Sequence, residues 1–114
     1  MGAVTGYHAH VYYDGADRAR AADLRTEIGR RFPVLIGRMH DQAVGPHTKA
    51  MFQVVFGHDV FGELVPWLMR HRNGLSVLVH AETGDDVADH TRHVLWVGDP
   101  VALSVDALRP GLAR

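Results

Sequence analysis

A chain of 114 residues has room for one compact domain, residues 1–114, and is too short for two that each bury a core. Its 46% hydrophobic and 22% charged residues match ordinary globular usage and suggest neither a disordered nor a membrane protein. A formal net charge of -1 provides no basic field for phosphate backbones, so nucleic acid is not an expected partner.

No apolar run approaches the length of a membrane span, and the start, Met1 to His8, lacks the blocks of a signal peptide. The expectation is a cytoplasmic protein with no membrane partner. Cysteine is absent, so any metal must be held by His, Asp or Glu. The compositional oddity is nine histidines, the side chain suited both to metal ligation and to proton transfer near neutral pH.

Tyr7 to Tyr13 (YHAHVYY) predicts a first strand closed by Asp14-Gly15. The two-residue period of a strand puts Tyr7, Ala9, Val11 and Tyr13 on one face and His8, His10 and Tyr12 on the other. Ala16 to Phe32 carries Ala21, Leu24, Ile28 and Phe32 at helical steps, with Asp14 or Asp17 as cap and Pro33 as stop. Val34 to Met39 reads as a short strand, and the turn-forming stretch Asp41 to Pro46 then delivers His47.

Lys49 to Phe56 predicts a third strand with Phe52, Val54 and Phe56 on one face and Met51, Gln53 and Val55 on the other. Asp59 to Arg72 predicts a second helix, with Pro66 expected to kink it or delay its start to near Gly62. Asn73-Gly74 stops it, and Leu75 to His80 follows as a fourth strand with His80 opposite its apolar set. Asp85 to His93 reads as a short helical turn, and Val94 to Val97 and Val101 to Val105 read as two further strands.

The order of elements predicts an α+β, ferredoxin-like βαββαβ sandwich: an antiparallel four-stranded sheet, two helices on one face, and a C-terminal appendage. The other face, with Tyr12, Met51, Val55 and Leu78, then needs cover from the C-terminal segment, a second subunit or a ligand. A homodimer is expected on that ground.

On this layout His8, His10 and His80 share the uncovered face and His47 enters it from a loop. An H-x-H pair on a strand holds its Cα atoms roughly 7 Å apart, close enough to share a metal. An H-x-H alone is equally well two half-exposed polar residues. Nitrogen donors alone suit zinc or iron, and two histidines with a carboxylate suit non-haem iron.

Asp14, Asp41, Glu82 and Asp89 are available, each with a plainer reading as cap, turn residue, solvated charge or hydrogen-bond acceptor. His90 and His93, three apart, offer a proton donor or base, although both also read as peripheral. His40, His58 and His71 read as surface residues at element ends. Arg38, Lys49 and Arg92 are candidates to hold a substrate carboxylate. Trp67 and Trp96 suit packing better than stacking on a substrate.

The stretches Tyr7 to Asp14 (YHAHVYYD), Gly45 to Phe56 (GPHTKAMFQVVF), Val65 to Leu68 (VPWL), Gly74 to Gly84 (GLSVLVHAETG) and Asp89 to Gly98 (DHTRHVLWVG) together resemble the DOPA 4,5-dioxygenase family. The resemblance implies an aromatic ring-cleaving dioxygenase, an oxidoreductase performing extradiol cleavage of DOPA or a related catechol with O2. Its implied cofactor is a non-haem metal, Fe(II), with zinc or another divalent ion as the alternative. Carried onto this chain, it implies His8, His10 and His80 as metal ligands and His47 and His90 as catalytic residues. The rival reading is a dimeric ferredoxin-like protein that binds a small aromatic ligand without turnover. A metal-dependent hydrolase or isomerase ranks last.

Overall fold

A computed structural model of the protein describes residues 3–109; the Met1-Gly2 start lies outside them. The strands are β1 (Gly6–Tyr13), β2 (Leu35–Ile36), β3 (Ala50–Phe56), β4 (Val77–Glu82) and β5 (Val94–Val97). The helices are α1 (Arg18–Arg31), α2 (His58–His71) and the one-turn α3 (Asp86–Asp89).

All strand pairs are antiparallel in one sheet of order β2-β3-β1-β4-β5. The inner order is the predicted one, with β1 between β3 and β4. The sheet has five strands rather than the expected four, because Val94–Val97 pairs along the free edge of β4.

The main core lies between the sheet and helices α1 and α2. Ala9, Val11 and Tyr13 of β1, Phe52, Val54 and Phe56 of β3, and Val77 and Val79 of β4 meet Ala21, Leu24 and Ile28 of α1 and Val60, Leu64 and Leu68 of α2. Helix α1 ends where Phe32 turns extended before Pro33, whose ring disfavours a helical residue in front of it. Helix α2 is continuous from His58 through Pro66 and is not delayed to Gly62. Pro66 deprives the Gly62 carbonyl of its helical donor, but both residues are exposed, so water can take that carbonyl.

Two expected strands differ from their predicted extents. Val34 to Met39 pairs as a strand only over Leu35–Ile36. Arg25 Nε on α1 donates to the Gly37 carbonyl at 2.9 Å, and the chain rejoins the sheet only as a single bridge from His40 to Met51.

Val101 to Val105 is not a strand either. Leu103 makes one bridge to His47, Ser104 N–H donates to the Pro46 carbonyl at 2.8 Å, and a 3-10 turn begins at Val105. Pro100 lacks a backbone donor, and the segment crosses the second sheet face instead of extending its edge.

That crossing supplies cover from the C-terminal segment, one of the three kinds of cover the sequence left open. Tyr12, Met51 and Leu78 form a second buried cluster, packed against Val94, Trp96, Val101 and Leu103 of the same chain. The apolar half of this face is therefore covered from within. The half carrying His8, Gln53 and Val55 remains partly open.

Candidate functional site

Strand register decides which histidines meet. His8 on β1 lies opposite His80 on β4, and His10, two residues further on, shares their face. His10 Nε2 and His80 Nε2 are 3.0 Å apart, a buried hydrogen bond.

His47 arrives on a tight turn in which its N–H donates to the Val44 carbonyl at 3.0 Å, with Gly45 at φ 57. A left-handed conformation costs glycine nothing. The bridge from Leu103 clamps the turn from outside, so the His47 ring stands 4.1 Å from that of His10, centroid to centroid.

His90 follows α3, a helix capped by the Asp85 carboxylate, which accepts from Ala88 N–H at 3.1 Å. The loop is pinned by Asp89, fully buried, whose carboxylate accepts from Thr83 N–H at 2.8 Å and from Thr83 Oγ1 at 2.6 Å. His90 is thereby held over His80, the ring centroids 4.2 Å apart.

Five of the nine histidines thus converge. Two overlapping triads, His8 with His10 and His80, and His10 with His47 and His90, each present nitrogens within 4.8 Å of one another. Either triad could hold a metal ion. One observation fits a metal: among the described residues His10 Nδ1 is buried with no hydrogen-bond partner, a state that an ion or a water ordinarily relieves.

Burial and mutual proximity favour the neutral, ligating form of His8, His10, His47 and His80. Burial, and then the neighbouring imidazoles, hold His10 well below the usual histidine range. Burial likewise lowers His47 and His80 to about 4. His8 is lowered by burial against an opposing pull from Glu82.

Glu82 is the carboxylate nearest the cluster. Its Oε1 lies 3.4 Å from His8 Nδ1 and 3.6 Å from His80 Nδ1, so the reading of Glu82 as a merely solvated charge is corrected. Its i, i+2 spacing from His80 on β4 was the available signal. Asp41 instead accepts from Tyr13 at 2.8 Å and from Arg18 at 2.7 Å. Asp14 pairs with Lys49 at 3.1 Å and makes no side-chain cap bond.

Tyr12 is the residue that sequence reasoning left out of the site. Buried and stacked on Trp96, its hydroxyl lies 2.7 Å from His47 Nδ1. Burial raises its pKa well above the usual phenol range. The signal was its place on the His10 face of β1, one strand period further on.

The remaining candidates fall outside the cluster. His58 lies 3.2 Å from the Tyr7 hydroxyl, and His71 donates to the Trp67 carbonyl at 3.0 Å. Arg38 and Arg92 are exposed. A broad groove of about 840 Å³ at one end of the sheet reaches His8 and Glu82, together with Thr5, Tyr7, Val55 and Phe56. Of the five clustered histidines, His8 alone lines it.

The chain is 50% identical to a candidate dioxygenase from Nostoc punctiforme of known crystal structure, with a TM-score of 0.90 over 92% of this chain and 91% of that one. It is 33% identical over 115 residues to an uncharacterised 21.2 kDa protein of Botryotinia fuckeliana, covering 90% of this chain and 63% of that protein. It is 25% identical over 108 residues to the DOPA 4,5-dioxygenase of Amanita muscaria, covering 87% of this chain and 47% of that enzyme. The chain therefore spans less than two thirds of the length of these fungal relatives. A family model matches residues 7–107, from the first strand through the histidine loops to the covering segment, and by that match the chain belongs to the Dopa 4,5-dioxygenase family.

Proposed function

We propose that this member of a dioxygenase family catalyses extradiol cleavage of a catechol, DOPA or a close relative, with O2 at a non-haem metal held by the histidine cluster. The observation that carries the reading is the convergence of five imidazoles, one with an orphaned buried nitrogen, on the sheet of a protein in this family. Fe(II) is the proposed ion, with zinc or another divalent metal as the alternative. Imidazole nitrogens suit both.

His8, His10 and His80 are the proposed ligands. His80 Nδ1 donates to the Ala81 carbonyl at 2.9 Å and His8 Nδ1 faces the Glu82 carboxylate. Each ring therefore carries its proton on Nδ1 and presents the Nε2 lone pair, the usual second-sphere arrangement of a ligating histidine. An ion held there would supply Lewis acidity toward a catechol hydroxyl and a meeting point for the two substrates.

The proton-handling residues are His47 and His90. His90 Nδ1 donates to the Asp86 carbonyl at 2.7 Å, leaving Nε2 as a base for a catechol proton. The proposed reaction breaks the ring bond beside the diol. One oxygen atom converts the ring CH to an aldehyde, and the other converts the adjacent hydroxyl-bearing carbon to a carboxylic acid. The catechol supplies the electrons, so no external reductant is needed.

A homodimer has less apolar surface to bury than expected: of the residues that motivated it, Tyr12, Met51 and Leu78 are buried within one chain and Val55 stays partly open. Sedimentation at micromolar concentration decides it.

The decisive experiment loads anaerobically purified protein with Fe(II) and follows oxygen uptake and absorbance with DOPA and a small catechol panel. Stoichiometric uptake with a yellow ring-opened product is expected, and His8→Ala, His10→Ala and His80→Ala should each abolish both. Catechol binding that persists after chelation, with no oxygen uptake, would refute the reading and favour a binding protein without turnover.

A further inference from the structure

We propose that Tyr12 is a positioning residue that fixes the tautomer of His47, holding the ring proton on Nε2 so that His47 is withheld from the metal and serves as a hydrogen-bond donor beside His10. The proposal deepens the preceding reading and rests on it for the presence of a metal. The tautomer itself is a property of the metal-free protein.

The argument is an inventory of donors and acceptors. Tyr12 is 1% exposed, and among the described residues its hydroxyl has one hydrogen-bond partner, His47 Nδ1 at 2.7 Å. A phenol carries one O–H, and a neutral imidazole has one N–H and one acceptor nitrogen. If Nδ1 carried the proton, it would donate to the phenolic oxygen and leave the Tyr12 O–H buried with no acceptor. A buried donor left unsatisfied forfeits its full hydration, so the arrangement with Tyr12 donating to Nδ1 wins. The His47 proton then resides on Nε2.

This sets His47 apart from His8, His80 and His90. His10, whose Nε2 must donate to the His80 Nε2 acceptor at 3.0 Å, shares the Nε2–H form, but among the described residues it has no partner on Nδ1 to orphan. His80 and His90 have Nδ1 against the carbonyls of Ala81 and Asp86, at 2.9 Å and 2.7 Å, and a carbonyl only accepts. His8 Nδ1 faces a carboxylate oxygen at 3.4 Å. In those three rings Nε2 offers a lone pair, whereas in His47 it offers a hydrogen.

A metal on His47 Nε2 would require Nδ1 to take up the proton, orphaning the Tyr12 hydroxyl. A metal on Nδ1 would displace the phenol outright. Of the two overlapping triads, the one containing His47 is therefore disfavoured, and the metal falls to His8, His10 and His80. Trp96, stacked on Tyr12 with ring centroids 5.9 Å apart, keeps the phenol in place.

The test is a long-range proton–nitrogen correlation spectrum of the imidazole rings in 15N-labelled, full-length protein, first metal-free and then with Zn(II) as the probe. The expected result in the metal-free protein is His47 protonated on Nε2, and His80 and His90 protonated on Nδ1. On adding Zn(II), the nitrogens of His8, His10 and His80 should shift, and those of His47 should keep their tautomer. Tyr12→Phe should abolish the Nε2–H preference of His47 while leaving the Nδ1–H form of His80 unchanged, which a loss of packing alone would not do.

Wild-type His47 protonated on Nδ1, or ligated by Zn(II) along with His10, overturns the proposal, and neither result depends on the variant folding. If Zn(II) fails to bind, the metal reading of the site fails, while the metal-free spectrum still decides the tautomer.

Discussion

Lowering the pH should begin to destabilise the metal-free protein before surface carboxylates titrate. His47 and His80 are held to about 4 by burial against an ordinary value of 6.5, and the unfolded chain restores that ordinary value. Because the folded values are depressed, the unfolded state takes up protons first. The stability each neutral ring contributes is complete above pH 6.5 and is lost progressively as the pH falls to about 4. At about 1.4 kcal/mol for each pH unit of difference, the loss approaches roughly 3 kcal/mol per ring. His10, lowered further in the same direction, adds to it. Two such losses compare with a total stability on the order of 5–15 kcal/mol for a small domain.

Urea midpoints measured between pH 7.5 and 4.5 should therefore fall by on the order of 2 M, since the urea slope of a small protein is about 1–3 kcal/mol per M. Saturating Zn(II) should move the fall to lower pH, because a ligating nitrogen must lose its proton to bind. A midpoint constant down to pH 4.5 in the metal-free protein would show that the imidazoles titrate as in water, and the account of a dry, mutually repelling cluster would be refuted.

Two further predictions concern the frame around the cluster. Asp89→Ala removes a fully buried carboxylate and orphans the Thr83 N–H and hydroxyl that it accepts from. Chemical denaturation should show a loss of about 2–4 kcal/mol, and Asp89→Asn, which keeps one acceptor, should lose less. Gly98→Ala should destabilise by about 1–3 kcal/mol, because φ is 86 and the new Cβ would lie 2.8 Å from Arg72 Nε. Since Gly98 follows the end of β5 that pairs with Val77, whereas His80 pairs with Val94 at the other end, Zn(II) affinity of the folded Gly98→Ala protein should stay at the wild-type value.

What was legible in the sequence follows from periodicity. The alternation in β1 separates His8, His10 and Tyr12 from Ala9, Val11 and Tyr13, and the strand order brings His80 opposite His8 without any knowledge of loops. His47 and His90 were legible only as loop residues near the face. Their contacts depend on a glycine turn clamped by Leu103 and on the Asp89 anchor to Thr83, both set by tertiary hydrogen bonds. The Val101 to Val105 segment misled for a related reason: its apolar alternation is real, but it serves to cover Tyr12 and Leu78 rather than to pair in the sheet.

The two halves of the second sheet face carry an argument about purpose. At one end Tyr12, Met51 and Leu78 are sealed by Trp96, Val101 and Leu103, which is how a chain stabilises an exposed sheet. At the other end, on the same strands, stand imidazoles whose burial costs solvation, whose charges are mutually unfavourable and one of which has an orphaned nitrogen. Leucine or methionine at His10 or His80 would serve packing better, as Leu78 and Met51 do beside them. A local sacrifice of stability confined to residues that could bind a metal and move protons is what the proposed site requires. Here its edge is marked by the Tyr12–His47 hydrogen bond, where the sealed half of the face meets the reactive one.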